Sequence, residues 1–137
     1  MKEEFISAFT ALHSLNGATH LAHWNITGML FYQLHLMFER VYGILDGQVD
    51  GLAEQGRGCG VEVPASVFNS VPEIEYEHGK DLVEKLLELA NEYEDKLKDL
   101  HKECDKDGNL GFLALIEGFL TDVNTIKFLF GATLDQL

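Results

Sequence analysis

The sequence predicts an all-α fold, a bundle of four helices with a long crossover between the second and third helices. Four long stretches carry apolar residues at intervals of three and four, and no stretch alternates as a strand does. Two of the three connections are short, whereas the middle one is long and contains both prolines. With 137 residues, 46% hydrophobic and 24% charged, the chain has the size and composition of one globular domain spanning residues 1–137.

The first helix is predicted from about residue 2 to Thr27. Phe5, Phe9 and Leu12 recur on one face, and the glycine that follows Thr27 is a natural stop. Gly17 lies inside this stretch and argues against a regular helix, because an internal glycine costs about 1 kcal/mol relative to alanine.

The second helix is predicted to begin near Met29 and to end within residues 53–60, whose three closely spaced glycines should not propagate a helix. Gln55-Gly56 directly after Glu54 indicates an early end, just beyond Glu54. Its core-facing residues recur at intervals of three and four. They are Leu34, Phe38, Val41, Leu45, Val49 and Leu52.

The crossover is predicted from about Gly58 to Val71, with a short helical turn near residues 65–68. A third helix should follow from about Glu73 to Glu103, and a fourth from Leu110 to Leu134. Asp107 or Asn109 is positioned to cap the fourth helix, which is apolar around much of its circumference and therefore suited to subunit contacts. Two short connections and one long crossover describe a ferritin-like bundle.

The formal net charge of −13 opposes binding to nucleic acid or anionic membrane and concentrates cations, which favours metal ions as partners. Cys59 and Cys104 are too few for a disulfide framework and are expected to be free thiols. No basic segment followed by an apolar one opens the chain, and no apolar run reaches the roughly 18 residues of a membrane span. A cytoplasmic protein is therefore expected.

Polar residues of the second helix form one stripe. At about 100° per residue, with His35 at 0°, Glu39 falls near 40°, Asp50 near 60° and Glu54 near 100°. The core-facing stripe averages about −80°, so the polar stripe is displaced by roughly 130° and does not face the core of its own subunit. A metal site inside a single bundle is therefore disfavoured.

Two copies of this helix could close such a site. Along one helix Glu39 and Asp50 are about 16 Å apart, too far to share an ion. The pair His35 and Glu54 and the pair Glu39 and Asp50 are both centred on the same point of the helix, near residues 44 and 45. An antiparallel pair would therefore place Glu54 of the partner beside His35, and Asp50 of the partner beside Glu39. Such a dimer would carry two identical sites about 22 Å apart.

Gly43 and Gly47 lie near the proposed two-fold axis, where they would allow the two helices to approach closely. His23, at the end of the first helix, would add a second imidazole to each site. Neutral imidazole with several carboxylates suits iron, manganese or zinc rather than calcium.

These residues give the sequence a resemblance to the Dps family, the mini-ferritins. The family pattern is His-Trp, a glycine, Phe, Leu-His, a carboxylate four residues later, and Asp-x-x-Ala-Glu. Here it is His23-Trp24-Asn25-Ile26-Thr27-Gly28, Phe31, Leu34-His35, Glu39 and Asp50-Gly51-Leu52-Ala53-Glu54.

The resemblance implies a hollow homo-dodecamer that oxidises Fe(II) at two-fold interfaces and stores the ferric product. Hydrogen peroxide would be the preferred oxidant and dioxygen the other. It implies iron ligands His23, His35 and Glu39 from one subunit, with Asp50 and Glu54 from its partner, holding two irons or one iron with a weak second site. Trp24 would be a one-electron donor.

This sequence also departs from the family pattern. Many members have Asp where Glu39 stands, and Arg-Ile where Gln55-Gly56 follows Glu54. Members that bind DNA often use Lys- or Arg-rich tails, whereas this chain has only Lys2 at one end and Leu-Asp-Gln-Leu at the other. Direct DNA binding is not expected. A DNA-coating cage, and a bundle with an incidental polar stripe, remain the alternative functions.

Other polar residues have alternative interpretations. His20 is expected to have an ordinary hydrogen-bonded role at the surface or in the core; three residues before His23, it is alternatively a support for the metal ligands or a weak extra metal site. Glu75-Tyr76-Glu77-His78 holds one Glu-x-x-His motif without a second copy, so it is interpreted as a solvated helix start. Asp105, Asp107, Glu117 and Asp122 either line an iron access pore or are ordinary capping and surface charges.

Overall fold

The computed structural model describes residues 1–137 as an all-α bundle, which confirms the predicted fold class. The helices are α1 (Lys2–Asn25), α2 (Phe31–Gly58), α3 (Gly79–Lys106) and α4 (Leu110–Leu134), and the crossover contains a 3₁₀ turn at Ala65–Asn69. No strand is present. The buried hydrophobic side chains form one core cluster of 32 residues.

The crossover is long because α2 and α3 run in the same direction. Phe5 near the start of α1 packs on Gly56 near the end of α2, so those two ends share one pole of the bundle. Gly79 at the start of α3 packs near Leu34 and Leu137, at the opposite pole. The segment between α2 and α3 must therefore traverse the length of the bundle, as a ferritin-like layout requires.

The predicted core faces are the buried faces. Phe5, Phe9 and Leu12 of α1 are buried, as are the predicted α2 residues except half-buried Val49. At the α3–α4 turn, Gly108 has a φ of 67°, a value that glycine adopts without steric cost. Asn109, rather than Asp107, caps α4, because its side-chain oxygen accepts a hydrogen bond from the Phe112 N–H at 3.2 Å.

The prediction that the second helix ends just beyond Glu54 was wrong. The helix continues through Gly56 to Gly58. A Cβ atom at position 56 would overlap the ring of Phe5, so this buried glycine permits close packing of α1 on α2 rather than stopping the helix. Glu54 therefore projects from a regular helical turn.

The prediction that the third helix begins near Glu73 was also wrong, because α3 begins at Gly79. The preceding residues are not helical and are held by two hydrogen bonds: the Thr27 N–H donates to the Glu77 carbonyl at 3.0 Å, and the Tyr76 hydroxyl donates to the Pro72 carbonyl at 2.7 Å. Glu75 and His78 are exposed, so the Glu-x-x-His motif is solvated but not helical.

Gly17 does not interrupt α1, contrary to the expected irregularity. The crossover passes directly over it, and a Cβ atom at that position would overlap Val71. Glycine at this position lowers the stability of the helix, but it allows the crossover to pack closely against α1. None of the four helices combines the length and the apolar character needed to cross a bilayer.

Candidate metal centre

The three predicted carboxylate ligands lie exposed on the outer face of α2. Glu39, Asp50 and Glu54 are all solvent-accessible, and none of them forms an ion pair within the chain. A carboxylate without an internal partner keeps all its oxygen lone pairs available. These side chains are therefore free to bind a cation or to meet another subunit.

The two predicted imidazole ligands are brought together by the α1–α2 connection. His23 lies in the last turn of α1 and His35 near the start of α2. Their rings stack with centroids 3.8 Å apart and an interplanar angle of 12°. Phe31, one turn before His35, stacks on its other side at 4.9 Å. Both rings are half-buried, so packing fixes their orientation.

Reciprocal hydrogen bonds lock the pair. Nδ1 of His23 lies 2.8 Å from the His35 carbonyl oxygen, and Nδ1 of His35 lies 2.8 Å from the His23 carbonyl oxygen. A carbonyl can only accept, so each Nδ1 must donate. The His23 carbonyl is available because its expected helical donor, the Thr27 N–H, bonds to Glu77 instead.

This arrangement selects one tautomer for each neutral ring. With the proton on Nδ1, each Nε2 carries a lone pair and can bind a metal ion. A metal-ligating histidine characteristically donates its other ring N–H to a carbonyl or carboxylate, which orients the ring and raises its basicity. The histidine pair thus has the hydrogen bonding that is typical of two metal ligands.

Behind the pair lies a cluster that the spacing of the ligand residues did not reveal. Tyr42 contacts His23 edge-on at 5.2 Å and stacks on His20 at 3.9 Å. Asp46 Oδ1 accepts a hydrogen bond from Asn16 Nδ2 at 2.8 Å and faces His20 Nε2 at 3.3 Å. We call Asn16, His20, Tyr42 and Asp46 the Asp46 cluster; in it His20 contacts Tyr42, which in turn contacts His23.

The helical angle could have identified Asp46. On the scale used for the other α2 residues it falls near 20°, inside the stripe that contains His35 and Asp50. Trp24 is 67% exposed, and its ring lies near His20, with centroids 5.7 Å apart. The indole is thus next to the Asp46 cluster, one residue along the chain from His23.

Within one chain no three His, Cys, Asp or Glu side chains converge closely enough to hold a metal ion. The histidine pair and the three carboxylates lie on one face without closing a site. Gly43 and Gly47, between them, are exposed, and a Cβ atom added at either would meet nothing within 4 Å. The middle of the stripe is therefore unobstructed.

A second polar group lies inside the bundle and was not predicted. The Tyr93 hydroxyl donates to Gln48 Oε1 at 2.7 Å, and Gln48 Nε2 lies 3.4 Å from the Phe119 carbonyl and 3.3 Å from Asp122 Oδ2. Burial raises the pKa of Tyr93 far above its usual range, and Asp122 adds to the rise. Asp122 therefore has a hydrogen-bonding partner within the bundle. The sequence feature that could have predicted this group is the polar residue Gln48 at a core-facing position of the second helix.

Comparison with known proteins gives consistent matches. A profile of the ferritin-like domain matches residues 8–137. A curated relative from Brevibacillus brevis, described as a DNA protection during starvation protein, is 28% identical over an alignment of 110 residues that covers 74% of this chain and 74% of the relative.

Solved structures share the architecture. The Dps protein from Vibrio cholerae O1, described as a member of a broad superfamily of ferritin-like diiron-carboxylate proteins, aligns with a TM-score of 0.87 at 19% identity, over 97% of this chain and 87% of that one. Antigen TpF1 from Treponema pallidum aligns with a TM-score of 0.85 at 22% identity, over 96% and 89%. The ferritin-like form of the bundle is confirmed.

Proposed function

Since the chain belongs to the ferritin-like domain family, within its Dps branch, we propose that it is an iron-storage protein that oxidises Fe(II) at sites shared between two subunits. The observation that carries this proposal is the histidine pair, in which both Nδ1 atoms are engaged and both Nε2 atoms are left for a metal. Imidazole and carboxylate together suit iron in a protein site.

The proposed site needs a second chain. Glu39, Asp50 and Glu54 are exposed and unpaired, and about 16 Å of helix separates Glu39 from Asp50 of the same chain. Antiparallel pairing of two α2 helices would bring Asp50 of the partner subunit to Glu39 and Glu54 of the partner subunit to the histidine pair. The open surface at Gly43 and Gly47 supports that pairing, because it lets the helix backbones approach.

Exposed apolar side chains on the same face of α2 also support self-association. Tyr32, 66% exposed, precedes His35 and Leu36, 41% exposed, follows it, at about 60° and 100° on the helical scale used above. Large apolar side chains exposed beside an open helical face are typical of subunit contacts. Closed assemblies built on such dimers, up to the dodecamer that the resemblance implies, enclose a space in which oxidised iron can be stored.

Electron balance defines the proposed reaction. Hydrogen peroxide takes up two electrons and two protons to become two waters, whereas each Fe(II) gives one electron. Two Fe(II) ions oxidised together therefore reduce one peroxide without releasing a hydroxyl radical. Where only one iron is bound, Trp24 supplies the second electron; its exposed indole near the site suits that role. Dioxygen is the alternative oxidant.

The chain's own groups hold and orient the metal. The stacked rings of His23 and His35 fix two nitrogen ligands, and the Asp46 cluster supports them through Tyr42. The net charge of −13 concentrates Fe(II) around the protein and neutralises part of the positive charge that accumulates as iron is stored.

Fe(II) oxidation tests the proposal. Fe(II) is added anaerobically, hydrogen peroxide follows, and Fe(III) absorbance and spin-trapped hydroxyl radical are both recorded. The parent protein should oxidise iron rapidly with little radical. His35→Ala and Glu54→Ala should be slow, while Glu84→Ala, a matched change at an exposed α3 carboxylate, should match the parent. If His35→Ala and Glu54→Ala oxidise iron as fast as the parent, the assignment of the site is wrong.

DNA coating remains the second candidate because of the name borne by the Brevibacillus brevis relative. The net charge of −13 opposes it, since DNA affinity depends on basic groups that displace counterions from phosphates. A gel-shift titration separates the two functions. Saturable binding that persists near about 150 mM salt would contradict our expectation.

A further inference from the structure

Two cysteines lie at the pole of the bundle where α2 and α3 end. Cys59 follows the last residue of α2 and is exposed, whereas Cys104 lies in the last turn of α3 and is fully buried. Neither is in a disulfide, as the sequence predicted. Their place in the fold is remote from the histidine pair, which lies at the opposite pole.

Asn109 connects the two cysteines. Its backbone N–H donates to the Cys104 carbonyl at 3.1 Å, and its side-chain Nδ2 lies 3.6 Å from Cys59 Sγ. The Asn109 side-chain oxygen is fixed at the same time, because it caps α4. One residue held by both its backbone and its side chain thus keeps the exposed thiol against the helix end that contains the buried one.

The environments of the two thiols are unequal. Burial raises the pKa of the Cys104 thiol to about 11, and the charge of the neighbouring Cys59 adds to the rise. A buried, protonated thiol does not react with a solute oxidant, whereas an exposed one does. Gly58 and Gly60 flank Cys59, and a Cβ atom added at either would meet nothing within 4 Å, so the surroundings of the exposed thiol are unobstructed on both sides along the chain.

We propose that Cys59 and Cys104 are a peroxide-sensitive thiol pair that closes to an intramolecular disulfide. The Cys59 thiolate attacks hydrogen peroxide, the O–O bond breaks, and hydroxide leaves and is protonated to water; Cys59 becomes a sulfenic acid. Cys104 then loses its proton and attacks that sulfur, the S–O bond breaks, and a second water leaves. Two thiols thus give two electrons and two protons to one peroxide.

This thiol chemistry is independent of the iron site, so it is tested on the iron-free protein. The protein is treated with hydrogen peroxide, quenched in acid, alkylated under denaturing conditions, and analysed by intact mass and peptide mapping. The parent should lose both alkylatable thiols, lose two hydrogen atoms in mass, and give a 59–104 linked peptide that a dithiol reductant cleaves.

Variants test the order of the steps. Cys104→Ser and Cys104→Ala, two variants in case one fails to fold, should each accumulate a Cys59 sulfenic acid that a 1,3-diketone traps. Cys59→Ser should keep its Cys104 thiol through the same treatment. The proposal is overturned if the parent gives only over-oxidised Cys59 or links between chains, or if Cys59→Ser loses Cys104 as fast as the parent does.

Discussion

The inward face of α2 carries a polar side chain that is buried and hydrogen-bonded, whereas the outward face carries carboxylates that are exposed and unpaired. Gln48, facing inward, is 1% exposed, and its amide bonds to Tyr93 and to the α4 backbone. Glu39 and Glu54, facing outward, have no ion-pair partner in the chain. A buried polar group must be satisfied by the fold, while unsatisfied groups on a shaped surface remain available to a ligand.

The same contrast favours the outer face of α2, rather than the interior of the bundle, for the proposed iron chemistry. Many ferritin-like proteins place metal ligands inside the bundle, but here the interior position on α2 is an amide bonded to a tyrosine hydroxyl. These are neutral groups that already have partners. The histidine pair, at the edge of the outer face, instead uses each Nδ1 and leaves each Nε2 open.

The largest expected effect, on the rate of Fe(II) oxidation, comes from removing Nε2 of His35 while keeping a hydrogen-bond donor near the Nδ1 position. His35→Asn retains a donor near the Nδ1 position, and so the bond to the His23 carbonyl, but removes Nε2. We expect the fold to survive and Fe(II) oxidation to fall more than about 100-fold, since even indirect partners of metal ligands contribute about 10- to 100-fold. Stopped-flow absorbance measures the rate, and circular dichroism checks the fold. Retention of the parental rate would mean that Nε2 binds no iron.

The next largest effect concerns assembly. Gly43→Leu and Gly47→Leu add a side chain where one subunit has empty space, and replacing a helical glycine removes a cost of about 1 kcal/mol. Each variant should therefore fold but fail to form the α2 dimer, as native mass spectrometry would record. Asn91→Leu, at an exposed position of α3, is the control and should assemble like the parent. Normal assembly of both glycine variants would place the interface elsewhere.

A smaller effect is expected inside the bundle. Tyr93→Phe removes the donor to Gln48 Oε1 and should lower the free energy of unfolding by about 1 to 3 kcal/mol, the cost of an unsatisfied buried acceptor. Adding Gln48→Met should recover most of the loss, because both polar partners are then gone. Urea unfolding at one fixed protein concentration measures both. A double variant as unstable as Tyr93→Phe would show that packing, not hydrogen bonding, governs this position.

The smallest expected effect, on the free energy of unfolding, concerns Glu94, whose carboxylate forms ion pairs with Lys127 and Lys98. Burial acts to raise the pKa of Glu94, but the ammonium groups of Lys127 and Lys98 outweigh it and hold that pKa below its usual value. Because the pKa is lower in the folded state, the stabilisation is complete above the unfolded pKa and is lost as pH falls through the folded one.

Glu94→Gln should therefore cost about 1 kcal/mol or less at neutral pH, with the difference from the parent vanishing in acid. Unfolding free energies compared across that acidic range would record it. An equal difference at every pH would mean that the ion pair contributes nothing and that the substitution acts through packing.

The sequence was sufficient for the elements that depend on periodicity and insufficient for those that depend on packing partners. The apolar spacing located four helices, and the spacing of His35 to Glu54 located a polar face. The end of α2 was missed because Gly56 is explained by the Phe5 ring, a contact from another helix. The Nδ1 bonds of the histidine pair and the Gln48–Tyr93 bond were missed for the same reason.

The most direct test of the central claim, that each iron site is built from two chains, is complementation between two inactive variants. One variant carries His35→Ala with Glu39→Ala, and the other carries Asp50→Ala with Glu54→Ala. Each alone should oxidise Fe(II) poorly. Unfolded together in equal amounts and refolded, they should regain about a quarter of the parental activity, because half the dimers are mixed and each mixed dimer has one intact site. A mixture as inactive as its components, but assembled like the parent, would contradict the shared site.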